Sequence, residues 1–236
     1  MSLNISYFVT PPALRAARQS GLLDSIEVNE TQTTGSAAQL TGLLDGSLNA
    51  VVTAIDNLFE WTSAGADLRL AGQVEHTTPL SLIAAPQHEC LRDLERTRFA
   101  IDAFANGFAL VARTLLSDAG VEVEWVQTGG VKERLEALLD GRAAATLLGP
   151  PFGEQALAAG QRLLMRVQDV YPTFPGQGLI VRADLLDTSE GKAFLAALRA
   201  SGLLAVNEAG LDLLREIRHG LGLLPSGVDL HALRSD

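Results

Sequence analysis

Residues 33–57 read TTGSAAQLTGLLDGSLNAVVTAIDN, and much of this stretch is written a second time. Ninety-five residues later, residues 128–152 read TGGVKERLEALLDGRAAATLLGPPF, so the run LLDG at residues 43–46 recurs at residues 138–141. A period this long is not that of a solenoid, whose repeats span about 20–50 residues. It predicts two lobes built on one pattern, with any ligand in the crevice between them.

Each copy has the pattern of a βαβαβ unit, and the copies align without a gap back to their first strands, residues 3–9 on residues 98–104. Right-handed crossovers make such a unit a parallel sheet covered by helices on both faces. In such sheets, ligands lie beyond the carboxyl ends of the strands. The predicted strands are residues 5–9, 26–30 and 50–55 in the first copy and 99–103, 121–127 and 144–148 in the second.

Leucines at positions i, i+3 and i+4 predict an amphipathic helix between the second and third strands of each copy. A glycine follows each helix where a left-handed C-terminal residue is favoured. The leucines are Leu40, Leu43 and Leu44 in one copy and Leu135, Leu138 and Leu139 in the other, and the glycines are Gly46 and Gly141.

The composition of the 236 residues, with 47% hydrophobic and 19% charged side chains, is that of a globular chain with ample material for a core. A net charge of −10 without a Lys/Arg cluster argues against nucleic acid as a partner. No apolar run approaches the roughly 18 residues of a membrane span, so we expect no membrane insertion. Cys90 is the single cysteine and the four histidines are scattered, so we expect no disulfide within the chain, no metal site and no cofactor.

The predicted domain boundaries follow from the duplication and from the loop YPTFPGQG at residues 171–178. Lobe one is predicted to comprise residues 1–84 and 180–236, and lobe two residues 88–176. The chain is then expected to cross between the lobes near residues 84–87 and 176–180. The two helices of the tail are expected to pack on lobe one.

The candidate ligand site consists of polar residues and glycines that follow the predicted strands. Ser36 and Asp56 also suit helix capping, which is the structural alternative for each. The start of a helix offers free N–H groups to an anion, so a sulfonate, carboxylate or phosphate is a possible ligand. The candidates are Thr10, Gly35, Ser36, Asp56 and Asn57 in lobe one, Asn106 and Gly107 in lobe two, and Gln177 on the return crossing.

Motifs of catalysis are absent from the sequence: it has no GxSxG, no P-loop and no GxGxxG before a helix. Asp56 is the one obvious carboxylate of the predicted crevice. Hydroxyl and carboxamide side chains are what selective binding through a few fixed polar groups requires.

Four segments together resemble the type II periplasmic-binding-protein superfamily: TGSAAQLTGLLDGSLNAVVTAIDN, ANGFALVARTLLSDAGV, LLDGRAAATLLGPP and FPGQGLIVRAD. The likeness covers essentially the whole chain and is greatest to substrate-binding proteins of ABC transporters for sulfonates, nitrate and thiamine precursors. The resemblance implies two α/β lobes joined by two hinge strands. It further implies a non-catalytic protein that closes on a small sulfonate-, carboxylate- or pyrimidine-like ligand and delivers it to an ABC permease with its ATPase.

Two features depart from the superfamily, and the first of them favours an alternative on the same fold. Residues 1–3 run straight into the first strand without the regions of a signal peptide, and members of the superfamily are commonly longer. The fold also serves enzymes similar to chorismate dehydratase and decarboxylases of aromatic acids, so fold does not settle function. The hypotheses are an extracytoplasmic binding protein whose leader has been removed, or a cytoplasmic lyase or decarboxylase of a small carboxylic acid with Asp56 as acid or base.

Overall fold

The computed structural model describes residues 2–33, 35–105 and 107–236, which form a mixed α/β fold. The strands within this part of the chain are β1 (Leu3–Tyr7), β2 (Val28–Gln32), β3 (Ala50–Ala54), β4 (Leu68–Gln73), β5 (Ser81–Ala84), β6 (Arg98–Ile101), β7 (Glu124–Gln127), β8 (Ala145–Leu148), β9 (Arg162–Arg166) and β10 (Gln177–Arg182). The helices are α1 (Pro12–Gln19), α2 (Ser36–Asp45), α3 (Asn57–Ser63), α4 (Ala109–Asp118), α5 (Val131–Leu139), α6 (Phe152–Ala158), α7 (Val167–Val170), α8 (Ser189–Ala200) and α9 (Glu208–Gly220).

The strands form two sheets with the same order and the same directions. The first sheet has the order β2-β1-β3-β10-β4 and the second the order β7-β6-β8-β5-β9. In each, the first three strands are parallel, and the fourth lies antiparallel between its neighbours. The predicted mostly parallel sheet of each copy is therefore confirmed.

The antiparallel strand of each sheet comes from the segment that follows the other copy. β5 follows β4 in the chain but pairs with β8 and β9, and β10 follows β9 but pairs with β3 and β4. The pairing with the outer strand shifts register at the same step in both sheets, between Leu82 and Ile83 and between Leu179 and Ile180. The prediction that lobe one extends to residue 84 is wrong for Ser81–Ala84, because three successive apolar residues, 82–84, fit the interior of either sheet equally well.

The gapless alignment of the copies also needs one correction. Asn49 N–H donates to the carbonyl of Asn4 at 2.9 Å, and Ala144 N–H donates to the carbonyl of Arg98 at 2.7 Å. The two donors are ninety-five residues apart in the sequence, whereas the two acceptors are ninety-four apart. The second copy therefore has one additional residue between its first and second strands.

The chain divides into two compact units, each of which contains one of the sheets. The first unit is Met1–His76, Pro175–Asp212 and Pro225–Asp236, and the second is Thr77–Phe174 and Leu213–Leu224. Residues Leu213–Leu224 group with the second unit, whereas the tail helices were expected on lobe one. In the first unit Leu3, Ile5 and Tyr7 point to one face of the sheet and pack with α1 and α8.

Gln73, at the end of β4, holds three segments of the first unit together. Its side chain is 1% exposed. Nε2 donates to the carbonyls of His76 at 2.9 Å and Pro175 at 3.0 Å, and Oε1 accepts from Asn207 N–H at 3.0 Å. In the second unit Gln168 Nε2 donates to the carbonyl of Thr78. Both carboxamides thus hold backbone next to the point where the chain passes from one unit to the other.

Candidate functional site

The carboxyl edge of the first sheet gathers most of the candidates of the first unit. Thr10 is half-buried three residues beyond β1, and Asp56 and Asn57 follow β3 with 3% and 2% exposure. Gln177 begins β10 opposite Ala54, the last residue of β3, so it lies at the same edge. Thr10, Asp56 and Asn57 thus follow neighbouring strands and Gln177 begins the next one, although their role in binding stays a prediction.

Helix α2 begins at this edge without a side-chain cap. Gly35 is the N-cap, with φ −176°, and its N–H donates to Thr33 Oγ1 at 3.2 Å. The prediction of Ser36 as N-cap is wrong: Ser36 is the first helical residue, because the turn closed by Thr33 and Gly35 already sets the helix start. A Cβ at Gly35 would meet no atom within 4 Å. Since glycine has no side chain, the first-turn N–H groups of α2 receive no capping bond from the N-cap residue and are available to an anion.

Asp56 and Asn57 begin helix α3. Asp56 occupies the N-cap position in a helical conformation and makes no side-chain capping bond, which contradicts the capping alternative. Asn57 Nδ2 donates to Thr53 Oγ1 at 2.8 Å. Its Oδ1 is buried and has no hydrogen-bond partner among the described residues. Because a buried acceptor without a donor is costly, this oxygen is a candidate contact for a ligand N–H or O–H.

Gln39 is a polar residue of the same edge that the sequence analysis missed. Its side chain is fully buried, and Nε2 donates to the carbonyls of Ser6 at 3.3 Å and Val52 at 3.2 Å. Its Oε1 has no partner among the described residues. These bonds turn α2 so that Leu44, predicted to be on the apolar face, is 52% exposed.

In the second unit, the predicted residue Asn106 lies outside the described residues. Gly107 is buried and has φ 64°, a left-handed conformation that favours glycine. The N-cap of helix α4 is Phe108. Gly107 keeps its predicted place between the end of β6 and the start of α4.

Arg134 on α5 is the second polar residue that the sequence analysis missed. It is 6% exposed, and its Nη1 donates to the carbonyl of Leu147 at 2.9 Å while Nε donates to that of Gly130 at 3.4 Å. No carboxylate of the described residues forms an ion pair with it. Burial lowers the pKa of the Arg134 guanidinium, and the carboxylates of Asp102 and Glu133 act in the opposite direction. Arginine still carries its proton at neutral pH, so a buried positive charge lies beside the end of β8.

Asp102 and Thr128 complete the polar set of the second unit. They follow β6 and β7 directly, and Thr128 N–H donates to the carbonyl of Ile101 at 2.9 Å, so the parallel register continues to this point. Asp102 Oδ1 and Thr128 Oγ1 are buried without hydrogen-bond partners among the described residues. The signal for Thr128 was available, since it directly follows a predicted strand, whereas Asp102 lies inside the strand predicted over residues 99–103 and was missed because that strand ends at Ile101.

Other chemistry finds little support within the described parts of the chain. They contain no group of three or more His, Cys, Asp or Glu side chains that could hold a metal ion. Cys90 is exposed, and its N–H and that of Glu89 donate to Asp93 Oδ2, which is a local turn. None of the described helices has both the length and the apolarity that crossing a membrane demands.

The two sheets have the same strand order, and each contains an antiparallel strand from the segment that follows the other copy. This arrangement is the type II periplasmic-binding-protein fold, and the solved structures similar to this chain have that fold. The ligand-binding component of an ABC-type import system from Staphylococcus aureus, with zinc bound, has a TM-score of 0.78 at 16% identity, over 95% of this chain and 94% of that one. The alkanesulfonate-binding protein SsuA from Xanthomonas axonopodis pv. citri, bound to MOPS, has a TM-score of 0.75 at 16% identity, over 99% and 98%. PhnD1 from Prochlorococcus marinus, in complex with methylphosphonate, has a TM-score of 0.69 at 14% identity, over 94% and 98%.

These likenesses concern the fold, because identities of 14–16% do not carry ligands from one protein to another. No protein-family model matches the sequence, and no curated protein matches it. The chain thus has the fold of periplasmic substrate-binding proteins of ABC import systems. The particular branch suggested by the sequence, that of sulfonate, nitrate and thiamine-precursor transporters, stays a prediction.

Proposed function

We propose that this protein is a solute-binding protein that closes on a small polar organic ligand, sulfonate-, carboxylate- or pyrimidine-like, and delivers it to an ABC permease outside the cytoplasm. The ligand-binding residues proposed are Thr10, Gly35, Ser36, Asp56, Asn57, Asn106, Gly107 and Gln177, to which the geometry adds Gln39. The fold supports this proposal because the similar structures include ligand-binding components of import systems.

The observation that carries the proposal is the pair of buried carboxamides at the carboxyl edge of the first sheet. Gln39 and Asn57 each have one oxygen without a donor among the described residues. Such oxygens are satisfied by an N–H or O–H group of a ligand or by ordered water. The uncapped start of α2 lies at the same edge and suits an anion. Together they fit a small molecule that combines a donor with an acidic or strongly accepting group.

The rival function, a lyase or decarboxylase, rests on Asp56. Its carboxyl group is 3% exposed at the edge where ligands of such sheets bind. General acid–base catalysis needs a titratable group within hydrogen-bond reach of the reacting atoms. Asp56 therefore supplies the substitution that separates the two functions.

The test is a thermal-shift screen against sulfonates, carboxylic acids and pyrimidines, followed by mass spectrometry of the recovered compound. We expect one class to raise the Tm and to be recovered unchanged, and we expect Asp56→Asn to produce no difference in the recovered compound. A product that forms with the natural chain and not with Asp56→Asn would replace binding by catalysis as the function. For delivery, we expect the loaded protein to stimulate ATP hydrolysis by its partner permease and ATPase.

A further inference from the structure

Three parallel strands of the second sheet end side by side, and a polar residue belongs to the end of each. Asp102 follows β6, the middle strand, and Thr128 follows β7. Arg134 reaches β8 from helix α5 through its bond to the carbonyl of Leu147. Neighbouring strands are about 4.8 Å apart, so the three groups span a distance that one small molecule can cover.

The charges of this cluster do not satisfy each other directly. Asp102 and Arg134 influence each other electrostatically but form no ion pair, and Asp102 Oδ1 and Thr128 Oγ1 have no hydrogen-bond partner among the described residues. Buried charges are normally paired, and a buried cation beside an unsatisfied acceptor is unfavourable unless both are completed. The cluster thus presents a cationic donor, a hydroxyl and an anionic acceptor at one edge.

The equivalent positions of the first unit hold different residues, so only the second unit has this cluster. Gln39 takes the place of Arg134 and bonds the carbonyl of Val52, which is equivalent to Leu147. Thr33 takes the place of Thr128, and its hydroxyl is satisfied by Gly35. By the corrected alignment of the first strands, Phe8 takes the place of Asp102. One copy of the duplicated pattern is therefore neutral here, and the other carries two opposite charges.

We infer that Asp102, Thr128 and Arg134 select a small zwitterion, whose acid group is held by Arg134 and Thr128 and whose ammonium group is held by Asp102. A simple anion is attracted by the Arg134 guanidinium but repelled by the Asp102 carboxylate. A simple cation is attracted by Asp102 but repelled by Arg134. A molecule with one or two carbons between an ammonium and a carboxylate or sulfonate satisfies both. This inference rests on the proposed function, since it names the ligand class of a binding site.

The test measures affinity by calorimetry for matched probes: β-alanine, propionate and propylamine, and in parallel taurine and ethanesulfonate. We expect β-alanine to bind at least about tenfold more tightly than propionate, and taurine at least about tenfold more tightly than ethanesulfonate. In each pair the second compound lacks the amine, so its binding leaves the charge of Asp102 unpaired. The comparison of β-alanine with taurine shows which acid group is preferred. Equal or better binding of propionate and ethanesulfonate by the natural chain would overturn the inference.

Substitutions then assign the selection to the cluster. Asp102→Asn keeps the shape and removes the anion, so we expect it to abolish the preference for the zwitterion. Arg134→Gln introduces the residue that the first unit has at the equivalent position, so we expect the variant to fold. Its affinity for the carboxylates and for the sulfonates should fall about tenfold or more. Arg134→Lys, which keeps the charge, should recover part of that loss. Arg98→Gln is the control, because Arg98 lies at the start of β6 and Asp102 follows its end. This substitution should change the affinity for none of the probes.

The outcomes separate this inference from the proposed function. If acids bind but Asp102→Asn leaves the preference unchanged, the zwitterion assignment is wrong and the binding function stands. If none of the five probes binds, the assignment is also wrong, and the wider screen of sulfonates, carboxylic acids and pyrimidines decides the function. Unchanged affinity in a folded Arg134→Gln variant would likewise count against the cluster.

Discussion

Gln39 and Arg134 occupy equivalent positions in the two halves of the chain, and each donates a hydrogen bond to the equivalent carbonyl. Gln39 Nε2 is 3.2 Å from the carbonyl oxygen of Val52, and Arg134 Nη1 is 2.9 Å from that of Leu147. The duplication has kept the position of the polar group and its bond to the sheet while changing its charge.

The start of α2 supplies a prediction that separates binding from stability. Gly35→Ala adds a methyl group to open space, at a φ of −176° that any residue adopts, so the free energy of unfolding should not change. Because the added methyl group belongs to the N-cap residue, next to the first N–H groups of α2, affinity for an anionic ligand should fall about tenfold, equivalent to about 1.4 kcal/mol. Calorimetry and urea denaturation check the two halves of this expectation. Thr41→Ala, further along the same helix, is the control; unchanged affinity in Gly35→Ala would remove the helix start from the site.

Gln73 supplies a prediction about the connections of the first unit. Gln73→Leu removes two donors and an acceptor from buried main-chain groups of His76, Pro175 and Asn207. Because unsatisfied buried groups are costly, the free energy of unfolding should fall by about 2–4 kcal/mol. Urea denaturation measures the loss, with the exposed Gln32→Leu as control. A loss no greater than that of the control would show that these bonds contribute little.

Gly191 in helix α8 is expected to tolerate no side chain. A Cβ there would lie 2.0 Å from the carbonyl oxygen of Leu185 and 2.8 Å from Thr188 Oγ1, which caps the helix by accepting from Gly191 N–H. Gly191→Ala should therefore lower the free energy of unfolding by about 3 kcal/mol. Gly220→Ala, where nothing lies within 4 Å, is the matched control and should be neutral or slightly stabilising. Similar stability of the two variants would contradict the packing at Leu185.

Asp184 is expected to give a small, pH-dependent contribution to stability. Hydrogen bonds from Arg182, at 2.6 Å and 3.1 Å, hold the pKa of the Asp184 carboxyl below its ordinary value of 3.8. The stabilisation is therefore complete above pH 3.8 and is lost as the pH falls below it. Asp184 is 66% exposed, so solvent screening limits the effect of Asp184→Asn to about 0.5 kcal/mol at neutral pH. Urea denaturation at neutral pH and well below pH 3.8 should show this difference disappear; a difference that persists in acid would not come from the carboxylate.

The parallel strands could be predicted from the sequence because their signals are local and occur twice. Apolar strands, an amphipathic helix and a closing glycine recur at a fixed distance, and Gly46 has the expected left-handed φ of 80°. The exchange of β5 and β10 could not be predicted in this way. Residues 82–84 and 178–181 of these strands are buried in succession, on both faces of the sheet, and their sequences do not record which sheet they enter.

The polar residues of the candidate site divide in the same way. Asp56 and Asn57 were visible because a polar pair follows six residues of which five are apolar. Arg134 and Gln39 were missed because each lies inside a helix, where a polar residue is ordinarily assigned to the solvent side. Their burial follows from hydrogen bonds to strand carbonyls, which depend on how the helix is turned against the sheet.

The most direct test of the account is a crystal structure of the protein with the tightest-binding compound of the screen. The account predicts an intact molecule at the carboxyl ends of the parallel strands, with an acidic group at the start of α2 or beside Thr128 and Arg134. A compound bound at the amino ends of the strands, or one found chemically altered in the crystal, would contradict it.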